Sequence, residues 1–312
     1  MRIVTYQEHA GGERCGVLSG DTIHAFAPGV ELISLLDDDG TRLHEAGAAA
    51  LAQGDEVPLA AVRLLAPIPR PPTVRDFYAF EQHVATARRN RGLDMDPDWY
   101  ELPVFYFSNP YAIVGPEVPV RAAPGSDSLD YELEVAAVVG RGGTNLKSSE
   151  AAGRIVGYTI MNDWSARDVQ MREMRLSMGP VKGKDFATSL GPWLVTADEI
   201  ADAAKDKAYD LTMTASVNGK EYSRASLAEI FWSFEEMLAY ASRGTRIEAG
   251  DVIGSGTCGT GCILELSLTY GGELYPWLVP GDVVELTVDR LGTLRNVVEP
   301  SLPIHPLREP GA

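Results

Sequence analysis

The stretch Leu129-Asp130-Tyr131-Glu132-Leu133-Glu134-Val135-Ala136-Ala137-Val138-Val139-Gly140 constrains the fold more than any other. Val135 to Val139 are apolar and mostly β-branched or small, which predicts a buried strand. Glu132 and Glu134 stand at its start. Residues two apart in a strand point to one face, so both carboxylates project into one space. Two ionised carboxylates share a space cheaply only if a cation lies between them or one is protonated. A metal site, a shared-proton dyad and an exposed edge with two free glutamates all stay open on these residues alone.

The 312 residues suffice for one large domain or two. Four prolines between Pro67 and Pro72 remove backbone donors and favour extended chain. A domain boundary there gives a small N-terminal domain, 1–68, and a larger domain, 69–312. No apolar run approaches the roughly 18 residues of a membrane span. The stretch Met1–His9 lacks a signal peptide's apolar core, and three cysteines (Cys15, Cys258, Cys262) make a poor disulfide framework. Both features imply reduced thiols in a cytoplasm. The formal charge of −17 argues against nucleic acid or an anionic membrane as partner. It leaves room for a small anionic substrate if cations are concentrated locally.

Most of the chain reads as strand and turn. Arg2–Tyr6, Val104–Phe107, Arg154–Met161, Asp251–Ile253, Ile263–Tyr270, Val283–Val288 and Leu294–Val298 are expected strands. Asn218-Gly219 is expected to form a type I′ hairpin turn. Helices are expected over Val74–Ala87, over Ser226–Arg243, and after Asn162-Asp163 as an N-cap pair. The segment 301–312, with Pro303, Pro306 and Pro310, reads as a loose tail. The fold class is mainly β (α+β).

Of the five histidines, His9, His24, His44 and His305 have nothing convergent around them. His83 follows Asp76 by seven residues, two turns on a helix, so the two would share a face. A helical turn from Asp163 would likewise align Asp163, Arg167 and Gln170. These three are either an N-cap with an ion pair or a carboxylate ligand beside groups that bind an anion. Lys184 lies in a Gly-flanked loop. The Gly-rich run Gly254–Cys262 matches neither the P-loop nor the dinucleotide fingerprint, and Cys258 with Cys262 lacks a second pair at zinc spacing. Oxygen ligands without a His or Cys cluster point to Mg²⁺, Mn²⁺ or Ca²⁺.

Five ordered motifs resemble the fumarylacetoacetate hydrolase family over roughly Thr73 to Glu299. They are Asp76-Phe77-Tyr78 with Gln82-His83, Asp130 to Glu134, Gly157 to Gln170, Gly183-Lys184-Asp185-Phe186, and Gly256-Thr257. The resemblance implies a mixed β-sandwich roll, a homodimer, and a divalent ion held by Glu132, Glu134 and Asp163, with Asp76 as a fourth ligand. It implies His83 as the base that activates water. Lys184, Arg167, Gln170, Tyr78, Tyr106, Thr188 and Thr257 fall at positions that contact substrate or stabilise charge. The implied activity is hydrolysis of a C–C bond in an acylpyruvate-like or β-diketo acid, its small anionic substrate. Tautomerisation, isomerisation or decarboxylation of a 2-oxo acid is the alternative, and a non-catalytic metal-binding homologue is the third. Family hydrolases orient the histidine with a glutamate, three residues after it or near a C-terminal Gly-Asp turn. Here Thr86 and Val279 stand at those positions, leaving Glu81, Glu101 and Asp94, Asp96 or Asp98 as substitutes. Met174 replaces a substrate-contacting tyrosine.

Overall fold

The computed structural model describes residues 1–8 and 11–308; His9 and the last four residues, Pro310 among them, lie outside it. The protein is mainly β. Its larger sheet runs, in spatial order, through Glu56–Pro58, Thr22–Ala25, Glu13–Ser19, Arg2–Glu8, Thr188–Thr196, Ile155–Asp163, Leu133–Val139, Val252–Gly254, Val74–Phe77 and Phe105–Ser108. A second sheet orders Lys220–Ser226, Thr212–Val217, Val283–Val288, Gly292–Glu299 and Val120–Arg121. The N-terminal strand Arg2–Glu8 pairs directly with Thr188–Thr196, so one hydrogen-bonded sheet joins residues from both sides of the proline-rich segment.

Side-chain parity decides what each face of the larger sheet does. Every position of Leu133–Val139 is buried, as expected of a strand covered on both faces. Its odd residues Leu133, Val135, Ala137 and Val139 enter the main core with Met213, Val284 and Leu286 of the second sheet. Ala136 instead packs with Val74, Met161, Leu190 and Val252 on the opposite face. With a period of two, Glu132 and Glu134 share the face of Ala136, Asp163 that of Met161, and Asp76 that of Val74. The four carboxylates are thereby placed on one side of the sheet, away from the main core.

The segment expected as one helix over Val74–Ala87 is a strand, Val74–Phe77, followed by a helix, Glu81–Arg89. Parallel pairing with Val252–Gly254 and antiparallel pairing with Phe105–Ser108 captures its first half. The long helix expected over Ser226–Arg243 is also divided. Ser226 ends a strand, and the helix Phe234–Ala241 starts at a capping box made by Ser233 and Glu236. Ile263–Tyr270, expected as a strand, is a helix. Asp163 does not cap a helix but ends the strand Ile155–Asp163, and the next helix runs Arg167–Met174. The hairpin turn at Asn218-Gly219 is present, with φ of 52° and 76° as a type I′ turn requires. Residues 301–308 carry neither helix nor strand and are exposed.

Candidate metal centre and proton-transfer pair

Glu134 leaves the Leu133–Val139 strand opposite Met161, with Asp163 two residues further along the paired strand. Asp76 arrives from the other side, through Val252–Gly254, in register with Gly254. Gly254 is what lets it approach: a Cβ there would lie 2.5 Å from Asp76 Oδ1 and 2.5 Å from Met161 Cε. One oxygen each of Asp76, Glu132 and Glu134 falls within 4.8 Å of the others. Lys184 Nζ donates to Glu132 Oε2 and Asp163 Oδ2, tying the fourth carboxylate to the group, and the Tyr106 hydroxyl also donates to Asp163 Oδ2. Thr257 Oγ1 donates to Glu134 Oε1 at 3.4 Å.

Burial and electrostatics split these groups. Burial raises Asp76 well above the usual carboxylate range, helped by the charge of Asp163. Burial likewise raises Glu134, with Asp76 and Glu132 adding repulsion. For Asp163, burial and Glu132 together outweigh the opposing pull of Lys184, so it too sits high. Glu132 goes the other way: burial opposes its ionisation, but Lys184 and Arg167 overcome this and hold it below the ordinary range. Burial also opposes the charge on Lys184, yet Asp163 and Glu132 keep it protonated. Asp76 Oδ1, Glu134 Oε2 and Asp163 Oδ1 are buried without a hydrogen-bond partner. Buried acceptors left unpaired are costly, and three of them on crowded carboxylates fit a divalent cation that prefers hard oxygen donors.

Beside this centre lies His83, on the helix Glu81–Arg89. Its Nδ1 is 2.9 Å from Glu265 Oε2, and both side chains are buried. An ionised carboxylate only accepts, so Nδ1 is the donor in this contact, and in a neutral imidazole that leaves Nε2 as the acceptor. The expected substitutes for the missing partner do not serve: Glu81 accepts from the Tyr100 hydroxyl at 2.6 Å, and Glu101 is exposed. The Tyr78 ring meets His83 edge-on at 5.6 Å, and burial pushes its phenol up to about 12.

Asp76 and His83 reach this region from a strand and a separate helix, not from two turns of one helix. Nor do Asp163, Arg167 and Gln170 share a helical face. Arg167 is held instead by three neighbours: Nε donates to Asp130 Oδ2 at 2.8 Å, Nη2 to Glu132 Oε1 at 2.7 Å and Nη1 to Gln170 Oε1 at 3.1 Å. Thr188 pairs in register with Asp163, but its hydroxyl meets Ser108 at 3.1 Å. Met174, two turns from Arg167, is exposed.

Two residues were missed from sequence. Glu265 lies in the run expected as a strand. Asp130 stands inside the quoted motif but drew no role. Fully buried, it accepts from the Ile263 and Leu264 amides at 2.7 and 3.0 Å as well as from Arg167, joining the first turn of the Glu265 helix to the carboxylate centre. A cavity of about 300 Å³ reaches Glu265 from the side of Gln82, Thr86, Arg89 and Thr269.

A mixed β fold carrying a carboxylate–lysine centre beside a buried His–Glu pair is the arrangement of an enzyme. The chain belongs to the fumarylacetoacetate hydrolase family: the model described as Fumarylacetoacetate (FAA) hydrolase C-terminal matches residues 73–299. A second, described as Rv2993c-like, N-terminal, matches residues 1–67. The chain is 30% identical to fumarylacetoacetase of Oryza sativa subsp. japonica, over 77% of this chain and 69% of that one. It is 28% identical to mitochondrial oxaloacetate tautomerase FAHD2A of Bos taurus, over 96% of this chain and 91% of the relative. Among solved structures, the fumarylacetoacetate hydrolase of Exiguobacterium antarcticum superposes with a TM-score of 0.74 at 28% identity, covering 96% of this chain and 99% of that one.

Proposed function

We propose that the protein is a divalent-metal-dependent hydrolase that cleaves the C–C bond of an acylpyruvate-like acid. The observation that carries this reading is the His83–Glu265 contact beside four converging carboxylates. Asp76, Glu132, Glu134 and Asp163 would hold Mg²⁺ or a similar ion, which supplies Lewis acidity and a template for two chelating oxygens. His83 Nε2 takes a proton from water, and Glu265 stabilises the imidazolium that results. The hydroxide adds to the acyl carbonyl, and Lys184, protonated and buried at the centre, is placed to stabilise the developing oxyanion. Collapse breaks the C–C bond, the electron pair leaves as the pyruvate enolate, and His83 returns its proton to that carbon. Arg167 positions Glu132 rather than meeting substrate, because Asp130, Glu132 and Gln170 already occupy its nitrogens.

A second reading is tautomerisation of a 2-oxo diacid, favoured by the tautomerase relative that aligns over nearly the whole chain. There His83 would carry a proton between carbon and the enol oxygen, and no water would be consumed. Turnover of an acylpyruvate in H₂¹⁸O separates the two. One ¹⁸O in the released carboxylic acid supports hydrolysis. Loss of enol absorbance without cleavage supports tautomerisation, and neither outcome in the Mg²⁺-loaded protein sinks both. Assembly as a homodimer belongs to the same proposal, and sedimentation at twice the 33.7 kDa chain mass is the expected result.

A further inference from the structure

We propose that His83, Cys262 and Glu265 form a second cation site, selective for Zn²⁺, whose occupation takes the proton-transfer pair out of use. One ligand atom from each side chain lies within 4.8 Å of the other two, and all three side chains are buried. An imidazole nitrogen, a thiolate and a carboxylate are a zinc donor set, with the fourth tetrahedral position left to water. The carboxylate centre offers only oxygen donors and suits a harder ion, so donor type sorts two metals between adjacent sites.

Two elements carry the three ligands. Cys262 immediately precedes the helix Ile263–Tyr270, its backbone bridged to Glu132, and Glu265 lies within that helix's first turn. His83 comes from the facing helix Glu81–Arg89. Burial and the charges of Asp130 and Glu132 hold the Cys262 thiol well above its ordinary range, with Arg167 and the Glu265 backbone amide opposing them only in part, so the thiol ionises only as the cation arrives. Of the three ligands, Glu265 also lines the cavity of about 300 Å³, so the cluster borders open space on the Glu265 side. His83 Nδ1 and Glu265 Oε2, 2.9 Å apart, need to separate by only a few tenths of an ångström to sit at about 2.0 Å from one Zn²⁺. Binding releases the thiol proton to solvent, shifts the His83 proton from Nδ1 to Nε2, and engages both His83 and Glu265. The predicted loss of turnover rests on the proposed role of His83, whereas binding itself does not.

The test is titration of the full chain, saturated with Mg²⁺, with Co²⁺ as a spectroscopic stand-in for Zn²⁺. A thiolate-to-cobalt charge-transfer band should appear at one equivalent. Cys262→Ser should abolish the band, and Cys258→Ser, which removes the neighbouring thiol outside the cluster, should keep it. No band in the unmodified chain, or a band that survives Cys262→Ser, overturns the site. In turnover assays under saturating Mg²⁺, Cys262→Ser should raise the Zn²⁺ concentration for half-inhibition by more than about 10-fold, the loss that even an outer partner of a metal ligand costs. Equal Zn²⁺ sensitivity in both proteins would place inhibition at the carboxylate centre instead. The absorption titration needs no turnover, so it remains decisive if the chain proves inactive on every oxo acid tried.

Discussion

Glu265 is the residue on which the chemistry turns, because a buried histidine without a carboxylate cannot share the positive charge it gains as a base. Glu265→Gln keeps the shape and removes that charge. Turnover should fall by about 10²-fold or more while Mg²⁺ affinity, read by calorimetry, stays within a factor of about 2. Unchanged turnover would show that His83 works alone. A second residue-scale consequence concerns Asp76 and Glu134, whose folded pKa values burial raises above the ordinary 3.8 and 4.5. Such groups bind protons more tightly folded than unfolded. Their contribution to stability is therefore complete below the unfolded values and is lost as pH rises through the folded ones. Glu132 works oppositely, but only below its ordinary 4.5. Between about pH 5 and 8, the melting temperature of the chain in EDTA should fall, and the rise on adding Mg²⁺ should grow. Glu134→Gln should flatten that fall; a melting temperature in EDTA that climbs with pH contradicts the picture. Glu132, Glu134, Asp163 and Lys184 were legible because each sits inside a short ordered motif. Glu265 was not, since nothing near it in sequence announces a histidine 182 positions away.

At the scale of elements, the helix Ile263–Tyr270 shows where sequence reading failed and why. Its residues Ile-Leu-Glu-Leu-Ser-Leu-Thr-Tyr alternate well enough for a strand and are too few for the helical period to declare itself. What settles the matter is tertiary: Asp130, far upstream, accepts from the first two amides of the helix. The Asn218-Gly219 hairpin was legible for the opposite reason, because its turn chemistry is complete within two residues. Val74–Phe77 was misread as helix because its fate depends on pairing with Val252–Gly254, 178 residues away at Val74↔Val252. Asp130 thus carries an element-scale prediction. Asp130→Asn leaves the buried Arg167 without one of its two anionic partners, and should destabilise the chain by about 3–5 kcal/mol in denaturant unfolding. Adding Arg167→Gln should restore part of the loss, since the uncompensated charge is then gone. Strictly additive effects would show that the two side chains do not act as a pair.

At the scale of the whole molecule, the formal charge of −17 opposes the approach of the anionic acid proposed as substrate. Buried Lys184 and Arg167 do little to draw it in from a distance, because each is already paired with carboxylates: Lys184 with Glu132 and Asp163, Arg167 with Asp130 and Glu132. Among the described residues no helix is long and apolar enough to cross a membrane. Raising ionic strength from about 0.01 M to 0.15 M shortens the screening length from about 30 Å to about 8 Å. That removes most of the long-range repulsion and leaves contacts inside the centre nearly untouched. With the metal held saturating, kcat/KM for a dianionic substrate should therefore rise with salt, by a factor of about 2 to 10, while kcat changes little. A fall in kcat/KM would mean that local cations at the mouth, with Arg89 in the wall of the cavity at Glu265, outweigh the net charge and steer the substrate in. Arg89→Gln would then abolish the salt dependence, and that variant decides between the global and the local field.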